Sequence, residues 1–260
     1  MRAFLEGLYY VYNRRELVYP DPLVFLYGCD DLRDREVVGL VVSCLAYGRV
    51  AQILKSAERV LAPLGPGPAR FLSRGLPKGL FRGFKHRFTT GEQVEGLLTR
   101  TAEALKNHGS LELLMKECLK KGGSFLAALN LFSRTLSPPG GGFPLVPAPE
   151  DGSACKRLLL YVKWMVRRDE VDPGGWTVFS PRDLVVPTDT HMRAIALRLG
   201  LTRRKQADLR SALEITQSFA RAAPEDPARY DFALTRFGIR GGLKISDLSK
   251  LEAGRLEPHT

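Results

Sequence analysis

The chain has 260 residues, 44% of them hydrophobic, which is enough to bury a core and argues against intrinsic disorder. Its 39 Lys and Arg outnumber its 28 Asp and Glu, and the formal net charge of +11 favours a polyanionic partner through counterion release and electrostatic steering. No apolar run reaches the roughly 18 residues that a membrane span needs, so we expect no membrane partner.

The N-terminus and the cysteines favour a cytoplasmic protein. The opening segment MRAFLEGLYYVYNRRE carries Glu6 inside its apolar part and lacks a small-residue cleavage site, so we do not expect a signal peptide. The cysteines are scattered at Cys29, Cys44, Cys118 and Cys155. Because none of them forms a C-x-x-C spacing, we expect free thiols in a reducing compartment, with no metal, iron-sulfur cluster or other cofactor.

Helix-type spacing of apolar residues runs through the first half of the chain. It predicts helices over residues 2–13, 34–47, 52–62 and 124–136, with three or four more between 69 and 121. The segment from Val37 to Tyr47 is apolar almost all round, which indicates a helix buried at the centre of a domain.

A basic run interleaved with phenylalanines lies between residues 78 and 88. Its cations are Lys78, Arg82, Lys85, His86 and Arg87, and its rings are Phe81, Phe84 and Phe88. The run is either a surface that contacts phosphates or, as is commoner, a helix with buried rings and solvated charges.

The second half continues the helical pattern. Residues 137–149 contain five prolines and three consecutive glycines, and we predict a loop that is long enough to be functional. Helices are predicted over residues 153–168, 192–199, 207–223 and 227–237, followed by a loose tail after Lys244. Asp151 or Ser153 is the expected N-cap of the first of these helices. Alternating strand patterns are nearly absent, so the predicted fold class is all-α.

Lys156 occupies the opening turn of the helix predicted over residues 153–168. The positive end of the helix dipole and partial burial both disfavour an ammonium there, so we expect a lowered pKa for this lysine. A lysine attacks carbon only when it is neutral, and this placement therefore suits an amine nucleophile. The ordinary alternative is a lysine that extends to solvent at a helix end.

Asp189 precedes Thr190 and His191 at the start of another predicted helix. We expect its carboxylate to cap that helix by accepting hydrogen bonds from unpaired backbone NH groups. Capping is compatible with catalysis, because an oriented, ionised carboxylate can stabilise a cation that develops opposite it.

The order of these features resembles a known superfamily. A buried helix, a hairpin-like loop, a lysine at a helix start, and then Pro-x-Asp-Thr-His followed by Arg and Leu-Gly are similar to the helix-hairpin-helix base-excision DNA glycosylases. The resemblance implies Asp189 as the catalytic carboxylate and Lys156 as the nucleophile found in bifunctional members. The long interval between these residues and the lack of iron-sulfur cysteines are more similar to the archaeal 8-oxoguanine glycosylase branch than to the endonuclease III branch.

The resemblance implies an all-α, two-lobed helical fold with a cleft between the lobes. One lobe is expected over residues 35–135 and the other over 1–34 with 136–243, which leaves 244–260 as a tail. The implied function is excision of a damaged base, an oxidised purine such as 8-oxoguanine, from double-stranded DNA after the nucleotide has been extruded. Lys156 would add AP lyase activity, and we expect a monomeric, nucleoid-associated repair enzyme.

A closer resemblance covers the whole chain but implies no function. Leu45-Ala-Tyr-Gly48, Gly152-Ser-Ala-Cys-Lys-Arg157, Trp164-Met-Val-Arg167 and Tyr230-Asp-Phe-Ala233 are similar to an uncharacterised bacterial protein family. The Leu-Pro-Gly-Val-Gly hairpin of the glycosylases is missing, and the prolines of residues 137–152, which take its place, leave few NH donors for phosphate. Arg157, Arg134 and Arg193 are candidates to supply DNA contacts instead.

Several other residues are candidates for a role beside Lys156 and Asp189. Lys163 is a rival nucleophile, but its mid-helix position beside Trp164 favours a solvated or cation-π role. The rings that could stack on an extruded base are Tyr47, Phe143, Trp164 and Trp176. His191 is interpreted as an orienting or core residue, with proton relay as the alternative. Two other functions stay open, a non-catalytic helical DNA-binding protein and an RNA-binding protein on the same scaffold.

Overall fold

The structure, a computed structural model, describes residues 1–138, 144–239 and 244–252. Within these ranges the chain forms twelve α-helices and one short β-hairpin, so the prediction of a mainly helical protein is confirmed. None of the helices in the described ranges is both long and apolar enough to cross a membrane.

Seven helices and the hairpin belong to the first half of the chain. They are α1 (Arg2–Tyr12), α2 (Leu32–Leu45), α3 (Val50–Leu61), α4 (Pro68–Ser73), β1 (Lys85–His86), β2 (Thr89–Thr90), α5 (Gly91–His108), α6 (Leu111–Gly122) and α7 (Phe125–Leu136). The two strands pair antiparallel, with Lys85 opposite Thr90 and His86 opposite Thr89.

Five helices follow in the second half. They are α8 (Lys156–Val166), α9 (Thr190–Arg198), α10 (Leu209–Ala220), α11 (Asp231–Ile239) and α12 (Ile245–Glu252). Residues 245–252 therefore form a helix, with Leu248 buried, where the sequence predicts a loose tail. A short amphipathic segment can form a helix when its apolar side chain packs against the rest of the protein, as Leu248 does.

Helices α2 and α8 form the centre of the core. Every residue of α2 from Glu36 to Leu45 is buried, as its nearly continuous apolar sequence predicts. The two helices approach closely at Gly39, where an added Cβ would lie 3.3 Å from Tyr161 Cε2 and 3.4 Å from Met165 Sδ. The α2–α8 pair therefore fixes where the N-terminus of α8 emerges, and this is the end that carries Lys156.

A buried carboxylate joins α2 to two other parts of the fold. Glu36 accepts hydrogen bonds from the backbone NH groups of Leu111 and Glu112, at 2.8 and 2.9 Å, and from the indole Nε1 of Trp176 at 2.7 Å. It thereby satisfies the first unpaired NH groups of α6. Trp176, one of the rings proposed to stack on a base, is thus buried and bound to Glu36 inside the core.

Two local predictions are wrong. Residues 78–88 form turns and the β-hairpin rather than a helix, because the glycines at 79 and 83 adopt positive φ angles of 76° and 75°. Helix α8 begins at Lys156 rather than at residue 153, and neither Asp151 nor Ser153 caps it. Its N-cap position is Cys155, which has a left-handed backbone with φ of 49° and makes no side-chain cap bond.

Candidate functional site

A cavity of about 660 Å³ lies where four segments meet. These are the N-terminal turn of α8, the link between α2 and α3, and the N-terminal ends of α9 and α11. Its volume lies within the range of roughly 300–1,000 Å³ typical of ligand sites. Six of its charged or aromatic lining residues are Tyr47, Lys156, Lys163, Trp164, Asp189 and Asp231.

Lys156 and Asp189 meet in this cavity. The Nζ atom of Lys156 lies 3.9 Å from Oδ2 of Asp189 and donates a hydrogen bond of 3.0 Å to the carbonyl oxygen of Ala46. Both side chains are about three-tenths exposed, at 27% and 30%. The pair is therefore shielded from bulk water on one side and open to the cavity on the other.

Asp189 is held by its own helix. Its Oδ1 atom accepts hydrogen bonds from the backbone NH groups of His191 and Met192, each at 2.9 Å, so the predicted N-cap of α9 is confirmed. This geometry turns Oδ2 toward Lys156. The cap fixes the carboxylate without using the oxygen that faces the amine, which suits a group that must stay ionised and oriented.

Lys163 lines the same cavity but is buried, with 1% of its surface exposed. It forms ion pairs with Asp231 at 3.1 Å and Asp172 at 3.3 Å, so the predicted solvated or cation-π role beside Trp164 is wrong. Burial lowers the pKa of Lys163, but the charges of Asp172 and Asp231 outweigh it and hold the pKa above its ordinary value. Lys163 is held between two carboxylates, whereas the Nζ atom of Lys156 faces the cavity, and this access favours Lys156 as the nucleophile.

Asp231 is a site residue that the sequence analysis did not single out. It is the first residue of α11 and lines the cavity with Lys163. The charges of Asp189 and Lys156 both act on the pKa of Asp231, the first raising it and the second lowering it. The only available signal was its place in the Tyr230-Asp-Phe-Ala233 segment. Nothing in its local spacing marks it, because its environment comes from α8 and α9.

Arg157 and Tyr47 form one wall of the cavity. Arg157 donates hydrogen bonds to the carbonyl oxygens of Cys44, at 3.3 Å, and Pro144, at 2.6 Å, and its guanidinium lies 5.3 Å from the centre of the Tyr47 ring. The Tyr47 hydroxyl donates to the carbonyl oxygen of His86 at 2.9 Å. Arg157 therefore holds the C-terminal end of α2 in addition to lining the cavity.

The other predicted site residues lie in different surroundings. Trp164 lines the cavity from a buried position, and His191 lines it while exposed, with its ring against Gly238 of α11. Arg134 and Arg193 do not line it. Arg134 forms an ion pair with Asp151 at 2.8 Å, and Arg193 donates to the carbonyl oxygen of Lys205 at 2.7 Å. Phe143 lies outside the described residues.

A second groove of the protein is larger than this cavity but lacks the Lys156–Asp189 pair. A larger, more open groove of about 1,320 Å³ lies between α4 and α5, but neither Lys156 nor Asp189 lines it. The smaller cavity is the better candidate site because buried charged groups converge there, which is typical of functional sites.

Among the described residues, no three or more His, Cys, Asp or Glu side chains are grouped as metal ligands.

A family model described as "Protein of unknown function (DUF2400)" matches residues 21–240. All lining residues of the cavity, from Asp21 to Thr235, fall within that range. No curated protein and no solved structure significantly matches the chain.

Proposed function

The chain belongs to the DUF2400 family, and from the chemistry of its cavity we propose that it is a DNA glycosylase with a lysine-dependent lyase step. The observation that carries the proposal is the approach of Lys156 Nζ to Asp189 Oδ2 at 3.9 Å, between residues far apart in the sequence. A lysine nucleophile and an oriented carboxylate are what displacement at a sugar carbon requires.

The reaction begins with a damaged nucleotide extruded into the cavity. As the bond between C1′ and the base lengthens, the Asp189 carboxylate stabilises the positive charge that develops on the sugar. Lys156 first gives a proton to water, its nitrogen lone pair then bonds to C1′, and the electron pair of the broken bond leaves with the base. The proton released by the attacking nitrogen ends on the departing base, so both atoms and charge balance.

The lyase step follows from the same covalent bond. The sugar ring opens as the C1′–O4′ bond breaks, O4′ takes up a proton, and Lys156 becomes an iminium on C1′. Loss of a proton from C2′ then expels the 3′ phosphate, and water hydrolyses the imine to release Lys156. This sequence uses only the lysine, a carboxylate and water.

The substrate proposed is an oxidised purine, 8-oxoguanine being the one suggested by the resemblance in the sequence. A cavity of about 660 Å³ can accept a purine nucleotide, and the formal charge of +11 suits a DNA backbone. The finer description of the fold, two helical lobes around a cleft, belongs to the same proposal. Tyr47, which lines the cavity and is partly exposed, is the ring proposed to contact the base, because Trp164 is buried behind the cavity surface.

Borohydride trapping on duplexes with defined lesions tests this proposal. We expect the wild-type protein to form a covalent adduct with an 8-oxoguanine duplex, and Lys156→Gln to form none. Lys120→Gln, which removes an exposed lysine of α6, is the matched control and keeps the adduct. Peptide mass spectrometry locates the linkage, and an adduct on Lys163 would contradict the assignment of the nucleophile.

Asp189→Asn completes the test. We expect it to excise the base at least about a hundredfold more slowly, in line with the loss of a preorganised electrostatic group. If no lesion of the panel is released, or if both variants cut like the wild-type protein, the proposed function is wrong. DNA binding without excision would then leave the non-catalytic DNA-binding function.

A further inference from the structure

A loop that carries exposed cations borders the cavity. Residues 199–208 connect α9 to α10, and Ala207 of this loop lines the cavity. Arg203 and Lys205 of the loop and Arg210 in the first turn of α10 are exposed. None of these three cations forms an ion pair with another residue in the described part of the chain. We call Arg203, Lys205 and Arg210 the basic strip.

The loop is tied to the segment that leads into Lys156. Asp208, at the end of the loop, pairs with Ser153 in an isolated antiparallel β-bridge. Ser153 itself lines the cavity, a short distance before Lys156 in the chain. The bridge therefore places the loop at the edge of the cavity, beside the start of α8.

Further contacts fix the backbone of the loop. Arg193 of α9 donates a hydrogen bond of 2.7 Å to the carbonyl oxygen of Lys205, and the hydroxyl of Ser218 donates one of 2.8 Å to that of Leu201. Leu201 and Thr202 are buried. Arg193, which the sequence suggested as a DNA contact, thus holds the main chain from which the basic strip extends.

The local carboxylate does not neutralise the basic strip. Asp208, the one carboxylate of the loop, forms an ion pair of 2.7 Å with Arg204 and caps α10 by accepting a hydrogen bond from the backbone NH of Ser211 at 2.8 Å. Arg210 lies at the N-terminal end of α10, where the positive end of the helix dipole disfavours a cation. Because exposed like charges repel one another and add no stability to the fold, their position indicates a negatively charged partner.

We infer that the basic strip binds phosphates of duplex DNA beside the nucleotide that enters the cavity. This rests on the proposed function and deepens it, because it assigns the surface that replaces the Leu-Pro-Gly-Val-Gly hairpin, which this sequence lacks. Phosphate contacts fix the position of a protein on DNA without reading its bases. DNA is favoured over an acidic protein segment because its phosphates flank the extruded nucleotide on both sides. Arg203, Lys205 and Arg210 do not line the cavity, so they are binding residues and not catalytic ones.

The salt dependence of binding tests the basic strip. Anisotropy of a fluorescent duplex with a non-cleavable tetrahydrofuran site is measured at several salt concentrations for the wild-type protein and a triple variant, Arg203→Gln, Lys205→Gln and Arg210→Gln. Each phosphate contact contributes about 0.9 to the slope of log binding constant against log salt concentration, so the slope should fall by about 2 to 3. The melting temperature should not change, because the three cations are exposed and make no ion pair with the described residues.

A charge-matched control separates a local contact from the loss of net charge. Arg70→Gln, Arg74→Gln and Lys106→Gln together remove three exposed cations that line the larger groove, and this variant should keep the wild-type slope.

Neutral methylphosphonate linkages locate the contact on the DNA. They are introduced one at a time along the strand that carries the tetrahydrofuran site. Next to that site, a neutral linkage should weaken binding of the wild-type protein and leave binding of the triple variant unchanged, because the variant has already lost the contact.

The outcomes separate this inference from the proposed function. Loss of slope in the triple variant, without excision of any lesion by the wild-type protein, would reject the glycosylase and keep the basic strip. Excision with equal slopes in the wild-type protein and the triple variant would reject the strip and keep the glycosylase. The strip is also wrong if the control variant loses as much slope, or if every neutral linkage weakens both proteins equally. Binding of polyglutamate without binding of duplex DNA would assign the strip to an acidic protein segment instead.

Discussion

Lys163 and Asp231 form a buried ion pair of 3.1 Å beneath the cavity that holds Lys156 and Asp189. The pair continues through Asp172 to Arg167, which also binds Asp226 at 2.9 Å. Two lysines of one helix thus differ in their surroundings: Lys163 is buried between two carboxylates, and Lys156 is partly exposed beside one carboxylate.

The first prediction separates the two lysines by stability. Lys163→Met leaves the carboxylates of Asp172 and Asp231 buried without their shared cation, so we expect the free energy of unfolding to fall by about 3–5 kcal/mol. Lys156→Met breaks only a partly exposed pair and is expected to cost about 1 kcal/mol or less. Urea unfolding of both variants measures the difference. Equal losses would contradict the buried network as described.

The second prediction separates the capping role of Asp189 from its proposed chemistry. Asp189→Ala removes the N-cap of α9 and should destabilise the protein by about 1 kcal/mol. Asparagine caps nearly as well, so Asp189→Asn should keep the wild-type melting temperature while losing excision activity. If Asp189→Asn keeps both stability and excision, the carboxylate acts only as a cap.

The third prediction concerns pH. Burial lowers the pKa of His86 from its ordinary value of 6.5, so the folded state favours the neutral ring while the unfolded chain protonates it more readily. The stability that His86 contributes is therefore complete above about pH 6.5 and declines as the pH falls below that value. We expect His86→Gln to lose less stability than the wild-type protein between about pH 7.5 and pH 5, measured by urea unfolding. Parallel losses in both proteins would exclude His86 as the source.

The fourth prediction concerns the exposed cations of the β-hairpin, of which Lys85 is one. If Lys85 contacts a phosphate, Lys85→Ala should reduce the slope of log binding constant against log salt concentration by about 1, with little change in sequence preference. Lys120→Ala, the exposed control on α6, should leave the slope unchanged. Binding isotherms on one duplex at several salt concentrations supply the measurement, and equal slopes in the wild-type protein and Lys85→Ala would place Lys85 away from the DNA.

Sequence patterns predicted the helices well where local rules act alone. The apolar run of α2 and the capping carboxylate of Asp189 are both visible in a few neighbouring residues. The structure of the basic run at residues 78–88 could not be predicted from its spacing. Two glycines with positive φ angles make it form turns and a hairpin, and Phe84 is buried while Phe88 is exposed. Its spacing alone does not distinguish these structures.

The sequence by itself determined the mainly helical fold, most helix positions and the surplus of positive charge, because periodicity, capping and composition depend on residues close together in the chain. Only the tertiary structure decided that Lys163 is buried among carboxylates, that Asp231 belongs to the cavity, and that Phe88 stands exposed beside it. These properties depend on which distant segments pack together, since the charge partners and solvent exposure of a side chain are set by neighbours in space.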